Sequence, residues 1–161
     1  MITVIGVDPG LAETGIGIVQ GSGFQIGRFA FNVLRTSAHS SLSDRLHSIY
    51  SGCLEIFENQ KPDIMIIEDI FILDKYPKSA ISLGKVCGVI LLAGAFCKIP
   101  VHEIPVREAK QILTGNGNAS KIQFEKSVRN MLQLTRPIKP DHASDALGLA
   151  LIGLLRYDVK R

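Results

Sequence analysis

Apolar and polar positions change period several times along the chain, and each change marks an element. Ile2-Thr-Val-Ile-Gly-Val7 is an apolar, β-rich run stopped by Asp8-Pro9-Gly10, which predicts a buried strand and then a turn. Gly15-Ile-Gly-Ile-Val19 predicts a second short strand a hairpin's distance away. After Gly21-Ser-Gly23, Phe24–Val33 partly alternates, with Phe24 and Ile26 on one face and Phe29, Phe31 and Val33 on the other, as a third strand. The period then becomes helical. Leu42, Leu46, Ile49, Tyr50, Cys53, Leu54 and Phe57 share one face, with Ser41 as N-cap and Lys61-Pro62 as the stop. Ile64-Met-Ile-Ile67 is a buried strand ending at Glu68-Asp69. Residues about 78–97 form an apolar helix containing Gly84, Gly88 and Gly94, and Pro100–Ile104 is a short strand. Pro105 opens a helix to about Leu113, Gly115-Asn-Gly-Asn118 is a tight loop, and Ser120 to Leu134 is amphipathic. Pro137 and Pro140 lead into a last helix, about Asp141 to Tyr157. Three sequential strands suit an antiparallel meander, and later strands separated by helices suit parallel addition. The expected fold is therefore α/β, a mixed five-stranded sheet with helices on its faces, in one domain spanning 1–161.

Composition narrows the class. With 46% hydrophobic and 20% charged residues the chain can bury a core, and no segment is low-complexity. Residues 1–97 carry seven Lys/Arg against nine Asp/Glu, and residues 98–161 carry eleven against six, so the second part is basic and permits a polyanionic partner. Cys53, Cys87 and Cys97 are odd in number and include no C-x-x-C pair, which argues against a disulfide framework or a zinc knuckle. Reduced thiols, no leader-like N-terminus, and an apolar charge-free run (Val86–Cys97) too short to span a bilayer predict a cytoplasmic protein.

The candidate chemistry is acidic. Asp8 and Glu68 each end an apolar strand, where α/β sheets collect their ligand sites. Asp-Pro-Gly is good turn chemistry, so Asp8 alone is explained as a turn residue. Glu68 has no turn role. On the last helix, His142 and Asp145 are spaced i,i+3 on one face among Ala143, Ala146, Leu147, Leu149, Ala150 and Leu151, a face that packs on a core. A carboxylate buried alone is costly, so such groups require a cation or hydrogen bonds. A hard divalent cation, Mg²⁺ or Mn²⁺, accounts for these oxygen donors together, and two ions about 4 Å apart can clamp an in-line phosphoryl displacement. Asp141, i,i+4 from Asp145, competes with His142 for the fourth position. Asp69 is expected on the opposite strand face, and His39, His47 and His102 lack ligand spacing.

Gly6-Val-Asp8-Pro-Gly10, Thr14-Gly-Ile-Gly17, Ile67-Glu68-Asp-Ile-Phe71, Leu113-Thr-Gly-Asn-Gly-Asn-Ala-Ser-Lys121 and Ser144-Asp-Ala-Leu147 together closely resemble the RuvC family of Holliday junction resolvases, collinearly over nearly the whole chain. The resemblance implies a ribonuclease H-like fold and a homodimer that binds a four-way DNA junction and nicks two strands of like polarity with Mg²⁺. A branch-migration motor as partner is also implied. Asp8, Glu68 and Asp145 match three of the family's catalytic, metal-binding acids, and His142 stands where many members carry Asp. Histidine can ligate a metal or move a proton but brings no negative charge, so a shift toward Mn²⁺ is an expectation attached to it. Phe71 matches a family aromatic suited to stacking on bases, and Lys110 and Lys121 match family lysines near the scissile region. Lys121, at a helix start behind Gly115-Asn-Gly-Asn118, suits a phosphate; without the family it is a solvated lysine after a turn. Lys78, Lys85 and Arg107 are further phosphate candidates. The 78–97 helix, with small residues permitting close approach, is either the dimer interface or a helix buried within the monomer.

Three rival readings carry their own tests. The Gly6–Gly17 region also resembles the phosphate loop of actin-like kinases and ATPases, which normally use two such domains. A non-catalytic junction-binding module on the same fold would bind without cutting. A relative that cuts RNA–DNA hybrids or other branched nucleic acid would be separated by its substrate preference.

Overall fold

The structure, a computed structural model, describes residues 1–69 and 77–157. Ten elements follow in order: strands β1 (Ile2–Asp8), β2 (Glu13–Ser22) and β3 (Gln25–Arg35), helix α1 (Leu42–Gln60), strand β4 (Ile64–Glu68), helix α2 (Pro77–Phe96), strand β5 (Val101–Ile104), and helices α3 (Val106–Thr114), α4 (Lys121–Met131) and α5 (Asp141–Tyr157). The sheet order is β3-β2-β1-β4-β5. The first three strands pair antiparallel, and β4 and β5 add in parallel, as the spacing of strands and helices predicted.

Period-two alternation sorts the sheet into two faces. Ile5, Val7, Met65 and Ile67 join Ile49, Phe57, Val86 and Ile90 in a core beneath α1 and α2. Val4, Ile64 and Ile66 join Phe124, Leu147, Leu151 and Ile152 in a second core beneath α4 and α5. Asp8 and Glu68 continue the second set of parities. Val7 is registered with Ile67, so both carboxylates leave neighbouring parallel strands at one level, on the α5 face.

Glycines let α5 lie unusually close to β1 and β2. A Cβ on Gly6 would stand 2.5 Å from the Ala150 amide nitrogen, one on Gly17 2.5 Å from the Ala146 carbonyl carbon, and one on Gly15 2.6 Å from the His142 carbonyl carbon. Only residues without a side chain fit there.

Three expectations are corrected. β2 is longer than the predicted Gly15–Val19, because pairing along both edges carries it to Ser22. In β3, Ile26 packs against the same core as Phe29 and Val33; the register jumps from Gly21↔Ile26 to Gln20↔Arg28, and the extra residue of this bulge reverses the face parity. α2 is not simply buried. Val86, Cys87, Ile90 and Ala93 are covered, but Ile81, Gly84, Gly88, Leu92 and Phe96 are exposed along one stripe. Lys78–Phe96 is, by length and composition only, long and apolar enough to cross a membrane, beyond the shorter Val86–Cys97 run.

Local signals set the helix ends. Ser41 Oγ accepts from the Asp44 amide at 3.2 Å, and Ser120 forms a reciprocal capping box with Gln123. The three cysteines carry free thiols, Cys53 and Cys87 buried, and burial pushes both up to about 12, which keeps them as inert thiols.

Candidate active site

The β1–β2 turn is held by Thr14, whose hydroxyl donates to the Gly10 carbonyl at 2.7 Å. This fixes the chain just after Asp8. α5 crosses the same strand ends and, because the glycine seam brings it against the sheet, its first turn delivers His142 and Asp145 beside Asp8 and Glu68. All four line one cavity of about 230 Å³, together with Lys110 from α3 and Lys121 from the start of α4. Val106, Phe124 and Leu149 supply its apolar wall.

Asp8 is 7% exposed. His142 Nδ1 lies 2.6 Å from Asp8 Oδ2, and since a carboxylate only accepts, that ring nitrogen carries the proton and donates. Nε2 is thereby left for a proton or a cation. Lys121 Nζ lies 3.6 Å from Asp145 Oδ2. Burial raises the Asp8 pKa above the usual carboxylate value, against the opposing pull of His142. Glu68 is pushed up to about 7, first by burial and then by the neighbouring charges of Asp8 and Asp145. Asp145 is raised by burial and by Asp8. Three carboxylates held close enough to disfavour one another's ionisation, with Lys110 and Lys121 opposing that effect at Glu68, make a site able to take up further positive charge.

The donor set fits a hard divalent ion. Oxygen donors dominate, one imidazole nitrogen is available, and the cavity is open to water. Among the described residues no three His, Cys, Asp or Glu side chains stand together so as to hold a metal ion as they are placed, so the fit rests on the chemistry of the donors, which suits an ion that keeps several waters and takes few protein ligands.

Asp141, the competitor of His142, is turned away. Its carboxylate is exposed and accepts from Lys139 Nζ at 2.7 Å, which holds its pKa below the usual value. His142, not Asp141, lines the cavity. Asp69 is exposed, as are His39, His47 and His102, the last stacked on Tyr157 at 4.3 Å between ring centroids. Phe71 lies outside the described residues. Lys78, Lys85 and Arg107 are exposed and do not line the cavity.

Gln111 was missed from the sequence. Its amide Nε2 donates to the Gly115 carbonyl at 2.8 Å and its Oε1 accepts from the Gly117 amide at 2.9 Å. It thereby clamps both ends of the loop that aims Lys121 into the cavity. A glutamine four and six residues ahead of a Gly-Asn-Gly loop is a faint signal for such a clamp.

The chain is similar to several known proteins. The family model described as "Crossover junction endodeoxyribonuclease RuvC" matches residues 4–153. A protein of that name from Carboxydothermus hydrogenoformans is 38% identical over 153 residues, covering 95% of this chain and 96% of the relative. One from Desulforamulus reducens is 36% identical over 148 residues, covering 92% and 90%. Among solved structures, Thermus thermophilus RuvC in complex with Holliday junction substrate superposes with a TM-score of 0.91 at 28% identity, covering 99% of this chain and 96% of that one. The yeast mitochondrial Holliday junction resolvase Ydc2 shares the fold, with a TM-score of 0.61 at 12% identity over 97% of this chain and 78% of that one.

Proposed function

The chain belongs to the RuvC family of crossover junction endodeoxyribonucleases, and on that footing we propose that it resolves four-way DNA junctions in recombination and repair by nicking two strands of like polarity. The observation that carries this reading is the meeting of Asp8, Glu68, His142 and Asp145 in one cavity with Lys110 and Lys121 at its rim. Family membership brings divalent-metal dependence. The four acidic and imidazole groups would hold the metal, which we assign as Mg²⁺, with Mn²⁺ as the alternative that a nitrogen donor favours, and as two ions per site. When bound, such ions polarise a phosphodiester and ease deprotonation of water.

This chain's own residues have separable tasks. Asp8 and Glu68, fixed at the ends of β1 and β4, set the negative rim that orients the reacting phosphate's counter-charge. His142, its ring anchored through Nδ1 on Asp8, keeps Nε2 as the one nitrogen donor for the cation. Lys121 and Lys110 neutralise phosphate oxygens and hold the backbone in place. Phe71 is assigned to stacking on bases.

Paired nicks require two such sites, which favours a twofold dimer. The exposed stripe of α2 supports that interface. A Cβ added at Gly84 or Gly88 would meet open space, so these glycines answer to no contact among the described residues, while Ile81, Leu92 and Phe96 present apolar surface alongside them. Continuity of this helix with the core on its other face supports a docked helix rather than a membrane span. We place the protein in the cytoplasm, with a branch-migration motor as a further partner.

The deciding experiment is mapped cleavage of a synthetic four-way junction with Mg²⁺ or Mn²⁺, beside duplex and RNA–DNA hybrid. The parent nicks the junction symmetrically, and Asp8→Asn and Asp145→Asn bind it without cutting. Parental nicking by both variants would overturn the site. Preferential cutting of hybrid, or ATP turnover without nicking, would favour the rival readings.

A further inference from the structure

A second groove, about 310 Å³, lies across Lys121 from the catalytic cavity. The two are continuous, since Lys121 and Asp145 line both. On the far side the groove is bounded by Ile122, Arg129, Lys139 and Asp141.

Two features of this groove have no structural explanation among the described residues. The first is Ile122, which is 80% exposed although it sits in the first turn of α4 beside the acidic site. α4 buries Phe124 and Val128 and packs Met131 partly against the same core, so Ile122 is not there to anchor the helix. The second is the placement of charge. Three cations and three carboxylates line the groove, yet the carboxylates of Glu125 and Asp145 are recessed at 17% and 19% exposure, whereas Lys121 and Lys139 are each 73% exposed. Glu125 is further committed, accepting from the Ile138 amide at 2.9 Å. Arg129 Nε lies 3.3 Å from Glu125 Oε1 but makes no hydrogen bond. The outer lip is thus cationic with one apolar side chain between, apart from Asp141.

Asp141 does not close the groove to an anion. Its pair with Lys139 is exposed on both sides, and such pairs contribute little. A phosphate can therefore take Lys139 at small cost, and the released counterions favour the exchange. A surface that alternates cation and aliphatic side chain suits the repeating phosphate and sugar–base units of a nucleic-acid strand, and exposed aliphatic side chains in such settings contact or part bases.

We propose that this groove seats the nucleotide next to the scissile phosphate, with Lys139 on its backbone phosphate and Ile122 against its base or sugar. The proposal rests on the junction-nicking reading above. It makes Lys139 a sequence-blind positioning contact and Ile122 a determinant of where the strand is cut.

The test uses the full chain, a synthetic four-way junction and the variants Lys139→Ala and Ile122→Ser, neither of which removes a buried group. Junction binding is measured by anisotropy between 50 and 200 mM salt, and nicks are mapped on junctions randomised around the crossover. Lys139→Ala should lower the salt slope by about 1, so that its affinity deficit against the parent shrinks about fourfold over that range, with the nick map unchanged. Ile122→Ser should keep the parental slope and flatten the base preference at one position beside the nick. A parental slope for Lys139→Ala, or a parental nick map for Ile122→Ser, overturns the proposal. A parent that binds the junction but never cuts would instead defeat the junction-nicking reading, while the slope comparison still decides the phosphate contact.

Discussion

Replacing Gly15 by alanine probes the link between packing and chemistry most directly. Gly15 lies on β2 opposite Asp8, and its missing side chain is the space into which the His142 backbone fits. The new Cβ would stand 2.6 Å from the His142 carbonyl carbon, and ordinary carbon–carbon separation requires a retreat of about 1 Å. The obstacle is helix backbone, which cannot swing aside as a side chain can. Overpacking of this kind costs about 1–3 kcal/mol, which for a chain of this size lowers Tm by roughly 2–12 °C. The chemical consequence should be larger. His142 and Asp145 sit in the displaced turn, and a misplacement of about 1 Å at a reacting centre can cost about 10²-fold in rate. Single-turnover nicking of a saturating junction, well below Tm, should therefore fall about 10²-fold while junction binding stays near parental. Gly27→Ala, where the nearest non-adjacent atom would be 3.5 Å away, serves as the control and should nick normally. Parental nicking by Gly15→Ala would refute the claim that the glycine seam positions the site, and a lowered Tm with parental nicking would restrict the seam to holding the fold.

Three further outcomes are expected. Without divalent ions, stability should fall as pH rises from about 4.5 to 7, because folded Glu68 keeps its proton to about 7 whereas the unfolded carboxyl releases it near 4.5; Glu68→Gln should flatten this decline in thermal melts recorded in chelator between pH 5 and 8, and an unchanged decline would remove Glu68 as its source. Gln111→Ala removes two exposed hydrogen bonds to the loop, each worth about 0.5–1.5 kcal/mol; nicking should fall roughly tenfold through misaimed Lys121, with partial recovery in Gln111→Glu, whose carboxylate still accepts from Gly117. Leu92→Glu on the exposed stripe of α2 should yield a monomer in sedimentation and break the pairing of nicks on the two strands, while a dimer of parental affinity would move the interface elsewhere.

Much of this was legible in the chain itself. Ile2–Val7 and Ile64–Ile67 read as buried strands from their apolar runs, but runs apolar on both faces do not say which position faces which layer; the register of β1 on β4 put Asp8 and Glu68 on a common face. The i,i+3 spacing of His142 and Asp145 fixed their shared face. That is a local relation, set by the helical period of 3.6 residues. The choice between His142 and Asp141 was not local: both sit at the start of α5, and only the angle at which that helix meets the sheet turns one into the cavity and the other toward Lys139. The bulge in β3, which reversed the expected facing of Ile26, depends on pairing with β2. The exposure of Ile81, Leu92 and Phe96 was hidden for a similar reason, since hydrophobicity alone does not say which flank of an apolar helix finds a partner. The sequence by itself determined the elements, their order and the residue types able to hold a cation. The tertiary structure decided which of them meet, because that depends on how closely one backbone can approach another, and here on three glycines that leave room for α5.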